Sequence, residues 1–161
     1  MAIPFLSVVI PAYNEETRIS ATLSAVLDYL RAQKYTWEIV VVDDGSVDAT
    51  SAFVNSVVDT DDRVCLERIP HGGKGWAVRH GMLAATGELR FMCDADLAMP
   101  IPQISRFIDQ MSEGYDLVIG SREGTGSRRY DESASRHFRG RIFNMVVRLL
   151  AVRRFQDTQC G

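Results

Sequence analysis

The sequence predicts an α/β fold: a mostly parallel open sheet with helices on both faces. Three observations predict it. Short β-rich runs alternate with segments of helical period, the order that builds strand–helix–strand units. The run Trp37–Val42 (WEIVVV) is nearly all apolar, as in a strand covered on both faces. The chain has 161 residues, 46% hydrophobic and 24% charged, enough for one domain with a real core.

Phe5–Ile10 (FLSVVI) reads as the first strand. Thr17–Gln33 follows as a helix, with Ile19, Leu23, Val26, Leu27 and Leu30 spaced onto one face. Trp37–Val42 is the second strand, and Asp48–Val58 a helix that Ser46 or Asp48 is placed to cap. Val64–Ile69 is a third, weaker strand; Gly73–Ala85 reads as helical despite its glycines. Glu88–Cys93 is the fourth strand, Ile101–Met111 a helix behind Pro100 and Pro102, and Tyr115–Ile119 the fifth strand. Glu123–Ser133, rich in Gly, Ser and Arg, reads as a loop, and Ser135–Arg153 as a long amphipathic helix. There is no internal repeat and no low-complexity linker, so residues 1–161 are expected to form a single domain.

No apolar run reaches the length of a membrane span, and the start, MAIPFLSVVIPAYNEE, lacks the basic opening of a signal peptide. Cys65, Cys93 and Cys160 show no CxxC spacing. Cys65 and Cys93 fall in strand-like runs and are expected to be buried free thiols, which points to a reducing, cytoplasmic compartment. The net charge of −3 conceals an asymmetry: residues 1–121 hold 9 Lys+Arg against 17 Asp+Glu, and residues 122–161 hold 9 Arg against 4 acids. That basic end suits an anionic partner, unless the two halves simply neutralise each other.

In open parallel sheets, ligands bind outside the carboxyl ends of the strands. The five predicted strands empty into PAYNEE, DDGS, PHGGKG, DAD and GSR. One polar ending says little; five on one edge describe a site. The first turn has no G-x-G-x-x-G, which argues against a dinucleotide fold. HGGKGW lacks the gap and the hydroxyl residue of a P-loop, so phosphate is expected to be met through a metal. Asp94 and Asp96, at i and i+2 in extended chain, would face one side and share a hard divalent cation. Alone, D-x-D more often marks a solvated turn. Here it ends an apolar strand beside a second acid pair, Asp43 and Asp44, which in turn could be no more than an Asx-turn before Gly45.

These pieces in this order resemble the family 2 glycosyltransferases of the GT-A fold. VVIPAYNEE, IVVVDDGSVDAT, HGGKGWAVRHGMLAATGE, CDADLAMP and VIGSR all match the pattern, over essentially the whole chain. DADLA…P, GSR and the terminal DTQCG look most like the dolichyl-phosphate or polyprenyl-phosphate glucosyl- and mannosyltransferases. The resemblance implies an inverting, metal-dependent hexosyltransferase that uses UDP-glucose or GDP-mannose, with a polyprenyl phosphate as acceptor and no nucleic acid. It also implies that family domains continue past CG, so residues 1–161 are expected to be an incomplete catalytic domain. By resemblance, Pro11, Tyr13 and Glu15 line the nucleoside pocket, Asp43 accepts from a base N–H with Asp44 beside it, and Lys74 lies near the nucleotide. Asp94 and Asp96 hold Mg²⁺ or Mn²⁺ against the diphosphate. Some mannosyl relatives carry a metal-contacting Gln where this chain has Ala98, which favours glucose over mannose.

The acceptor sets the mechanism. A sugar hydroxyl needs a general base, and Asp157 is then the candidate. A lipid phosphate is already anionic and needs cations to hold it in line; Arg122, Arg128 and Arg129 are expected to supply them, with Asp157 orienting the sugar. The arginines of the last helix either face anionic lipid at the cytoplasmic side of a membrane or stand in water while the helix docks on the sheet. Outside this class, a phospho-receiver module or a nucleotide-binding regulatory remnant would also present adjacent acids after a strand.

Overall fold

The structure, a computed structural model, describes residues 3–120. The chain divides into two compact units, residues 1–109 and residues 110–161; the second is described only over 110–120. In the first unit, β1 (Leu6–Ala12), β2 (Trp37–Asp43), β3 (Val64–Arg68) and β4 (Leu89–Met92) form one parallel sheet in the order β3-β2-β1-β4. Helices α1 (Ile19–Arg31), α2 (Thr50–Val58) and α3 (Lys74–Ala84) connect the strands in turn. A 3₁₀ turn over Ile101–Gln103, with Pro102 in its first turn, leads into α4 (Ile104–Ser112).

The period-two alternation of the strands sorts the core into two layers. Leu6, Val8, Ile10, Ile39 and Val41 face one way, onto Ile19, Leu23, Val26, Leu27 and Leu30 of α1, Val54 of α2, and Ile101 and Ile104. Val9, Val40 and Val42 face the other, onto Ala77 of α3 and Ala85. Each such aliphatic side chain, once buried, contributes about 1.5–3 kcal/mol before chain entropy is counted. Helix α3 lies so close that a Cβ on Gly81 would sit 2.4 Å from Val9 Cγ1 and 2.7 Å from Val42 Cγ2. The glycine that weakens α3 as a helix is what lets it dock.

The chain runs outward from β1 to β3, then α3 carries it back to lay β4 on the other side of β1. The strand order therefore reverses beside β1, and ligands are expected at such a crevice, past the carboxyl ends of the strands.

Three expectations need correction. Tyr115–Ile119 is not a strand; Tyr115, Leu117 and Ile119 are 57%, 72% and 48% exposed. Its β-forming residues fit a pleated surface only when a neighbouring strand and a packed face are supplied, and propensity alone does not supply them. Cys65 is exposed, because β3 is the edge of the sheet; Cys93 is buried, and both are free thiols. Ser46 does not cap α2, whose own cap residue is Ala49; Asp48 Oδ1 instead accepts from the Thr50 N–H at 3.0 Å in a local turn. The basic segment, Glu123–Ser133 and Ser135–Arg153, lies outside the described residues.

Candidate functional site

The loops that leave β1 and β2 are stitched to each other. Asn14 adopts a left-handed backbone, φ 54°, which its short polar side chain tolerates. Its N–H donates to Ser46 Oγ at 2.9 Å, and the Val47 N–H donates to Asn14 Oδ1 at 3.0 Å. The Glu15 N–H donates to Thr50 Oγ1 at 2.8 Å, the Glu16 N–H to Asp48 Oδ2 at 3.1 Å, and the Ala49 N–H to Glu16 Oε2 at 3.0 Å. The acids and hydroxyls of YNEE and GSVDAT thus bond to one another's backbones, and they fix one wall of the crevice.

The two acids after β2 have different fates. Asp43 is fully buried: Oδ1 accepts from the Ser46 N–H at 2.8 Å, Oδ2 accepts from the Ser51 hydroxyl, and Arg68 Nε lies 3.5 Å from Oδ2. Both of its oxygens are engaged by the protein itself, and it does not line the crevice. The sequence expectation placed the base contact on Asp43; of the two neighbouring acids, Asp44 is the one that lines the crevice. It accepts from the Gly72 and Gly73 N–H groups at 2.8 Å each and faces His71 Nδ1 at 2.9 Å. These charge-assisted bonds hold the loop after β3 against the end of β2. Gly45, φ 75°, must be glycine here, since a Cβ would come within 2.9 Å of the His71 backbone nitrogen.

The crevice has a volume of about 320 Å³, within the range of small-molecule clefts, roughly 300–1,000 Å³. Pro11, Tyr13, Glu15, Asp44, Lys74, Asp94 and Asp96 all line it. Seven of the residues singled out from sequence are thereby brought to one place. Arg122, Arg128, Arg129 and Asp157 lie outside the described residues. His71 and Gly73 also line the crevice. Sequence reading passed over His71 although PHGGKG contains it, because only the lysine in that loop suggested phosphate.

Asp94 and Asp96 are not on extended chain. β4 ends at Met92, and a turn follows in which the Leu97 N–H donates to the Asp94 carbonyl at 3.3 Å and Leu97 takes φ 52°. The Ala98 N–H donates to Asp96 Oδ1 at 3.0 Å. Between the acids, the Ala95 carbonyl accepts from the buried Thr22 hydroxyl of α1 at 2.5 Å. Lys74 Nζ, at the start of α3, lies 2.7 Å from Asp94 Oδ1. Asp94 and Asp96 offer hard oxygen donors that suit Mg²⁺ or Mn²⁺. Among the described residues no cluster of three or more His, Cys, Asp or Glu could hold a metal. The donor set therefore fits an ion that keeps water and phosphate among its ligands, as Mg²⁺ does. Lys74 already places a positive charge on this carboxylate.

The profile of Glycosyl transferase family 2 matches residues 7–159. Dolichyl-phosphate beta-glucosyltransferases are similar to the chain: that of Drosophila melanogaster is 38% identical over 97% of the chain, and those of Homo sapiens and Saccharomyces cerevisiae are each 34% identical over 97% and 98%. The chain spans about half the length of these curated relatives, 52–53%. Among solved structures, a mannosyltransferase from Pyrobaculum calidifontis in complex with GDP-Man and Mn²⁺ is similar with a TM-score of 0.56 at 27% identity, covering 70% of this chain and 33% of that one. Staphylococcus aureus TarS in complex with UDP-GlcNAc gives 0.55 at 25%, covering 80% and 37%. The fold is that of the GT-A glycosyltransferases.

Proposed function

This chain belongs to glycosyl transferase family 2, and from that premise we propose that it moves glucose from UDP-glucose to a polyprenyl or dolichyl phosphate, with inversion at the anomeric carbon. The observation that carries the reading is one crevice lined together by Tyr13, Asp44, Lys74, Asp94 and Asp96 at the reversal of the strand order. An aromatic face and an acceptor suit a base, and a cation and two carboxylates suit a diphosphate. Glucose is preferred to mannose because the similar curated proteins are glucosyltransferases. With the family known, a phospho-receiver module is set aside.

A phosphate oxygen of the acceptor attacks the anomeric carbon as the bond from that carbon to the β-phosphate oxygen breaks, and UDP departs with the electron pair. The acceptor is anionic from the start, so no proton has to be removed and no general base is required. Tyr13 and Asp44 orient the nucleoside. Lys74 stands where it can pass from Asp94 to a phosphate oxygen and offset the charge that grows on the leaving group. A divalent ion held by Asp94 and Asp96, Mg²⁺ or Mn²⁺, would supply further charge neutralisation to the diphosphate. Arg122, Arg128 and Arg129 are assigned to the acceptor phosphate and Asp157 to orienting the sugar, at a membrane surface where the lipid resides. Among the described residues no helix is long and apolar enough to cross a membrane.

The test, made on the protein at the full length of its relatives, is transfer of labelled glucose from UDP-glucose to a short-chain polyprenyl phosphate in detergent. Labelled glucosyl lipid is expected, and the Arg122→Ala, Arg128→Ala double variant should lose transfer while still binding UDP. Label on a soluble sugar, with lipid phosphate ignored, would sink the lipid reading and leave Asp157 as the leading candidate for a general base.

A further inference from the structure

We infer that His71 is a built-in competitor for the nucleobase, standing on the Tyr13 face and against the Asp44 carboxylate that a bound base would use. The inference rests on reading the crevice as the donor nucleotide's site. Tyr13 presents an aromatic ring, 44% exposed, to that crevice. Every base has a π-face that such a ring can stack on. One face of the ring is already covered: the His71 imidazole stacks on Tyr13 with ring centroids 4.2 Å apart and planes 23° from parallel.

A base would also seek an acceptor for its N–H, and a carboxylate accepts without competing as a donor. Asp44 offers one, and His71 Nδ1 lies 2.9 Å from its Oδ2 and 3.0 Å from its backbone carbonyl. A flat ring with a nitrogen aimed at a carboxylate is the outline of a bound base, and here the protein supplies it from its own chain. The arrangement is built for exchange. The His71 side chain is 54% exposed, so it can leave without opening the core. Asp44 keeps both glycine N–H bonds, at 2.8 Å each, when the imidazole departs, so the acceptor remains aimed for the base. The opposite role, a fixed backing that braces Tyr13 for the base, makes the opposite prediction for removal of the ring.

The experiment titrates UDP, with Mg²⁺ present, into the full chain and into His71→Ala and Tyr13→Ala, by calorimetry, and follows the His71 ring resonances by NMR; the chain has only three histidines. Stacking on Tyr13 shifts the His71 ring protons upfield in the free protein, and UDP is expected to return them downfield. His71→Ala is expected to bind UDP about two- to tenfold more tightly, the worth of one aromatic stack read as an affinity ratio, and Tyr13→Ala more weakly. A His71→Ala protein that binds UDP no tighter, or a His71 ring that stays stacked at saturation, overturns the competition and leaves the donor site standing. If neither UDP nor GDP binds any of the three proteins, the donor reading fails and the competition with it.

Discussion

At the scale of single residues, the chemistry depends on which of two neighbouring acids meets the ligand. Asp43 is the last residue of β2 and Asp44 the first of the turn beyond it. The sequence VVVDDGS marks the pair but not the division of labour, which is set by the turn at Gly45 and by a loop that arrives from β3, some 28 residues later. Asp43→Ala should lower unfolding stability by about 1.5–3 kcal/mol in urea melts, the range for hydrogen bonds to a charged group. Unchanged stability would mean that its bonds to Ser46 and Ser51 are idle. Lys74 invites a second substitution. Its ammonium sits 2.7 Å from Asp94 Oδ1, where a metal ion would compete with it. Lys74→Met should bind Mn²⁺ more tightly in the absence of nucleotide, by electron paramagnetic resonance, yet bind UDP more weakly. Looser Mn²⁺ binding would show that the lysine does not contend for that carboxylate.

At the scale of elements, the helical period made α1 legible, and all five of its predicted inward residues are buried. The same stripe carries Thr22, an i+3 step from Ile19, and this polar residue on a buried face was the available sign of a tie to the site. Its hydroxyl holds the carbonyl between the two acids. Thr22→Val should therefore weaken metal-dependent UDP binding, and Thr22→Ser, which keeps the hydroxyl, should retain most of it. Equal loss in both variants would reduce the effect to packing. The other end of α1 is tied by charge: Arg31 bonds to Asp61 at 2.9 Å, and Arg63 bonds to the same carboxylate twice. The Arg63 guanidinium, against some cost of burial and with help from Arg31, holds the Asp61 carboxyl well below the usual range. A carboxyl with a depressed value stabilises the fold above its ordinary value, about 3.9, and loses that contribution as pH falls through the folded value. Asp61→Asn should thus destabilise the protein at pH 5–7, and the gap from wild type should begin to narrow below about pH 4 and go on narrowing as pH falls toward the lower folded value. A gap that persists in acid would assign the effect to shape rather than charge. Tyr115–Ile119 shows the limit of element reading, since its β-formers meet no strand among the described residues.

At the scale of the whole molecule, the alternation of strands and helices was enough to foretell a parallel sheet, and its polar strand endings foretold the edge that carries the crevice. The order β3-β2-β1-β4 was not readable from those patterns, because strand order depends on where each crossover returns. That order is what puts Asp94 and Asp96, distant in sequence from Tyr13, beside the end of β1. Loop, acid and lysine then converge without any one of them being a strong motif alone. The most direct measurement is calorimetric titration of UDP-glucose into the chain and into Asp96→Ala, each with and without Mg²⁺ or Mn²⁺. If the crevice is a metal-assisted donor site, the metal strengthens binding to the wild type and has no such effect on the variant. An equal metal effect on both proteins, or no binding of UDP-glucose by the wild type, would contradict it.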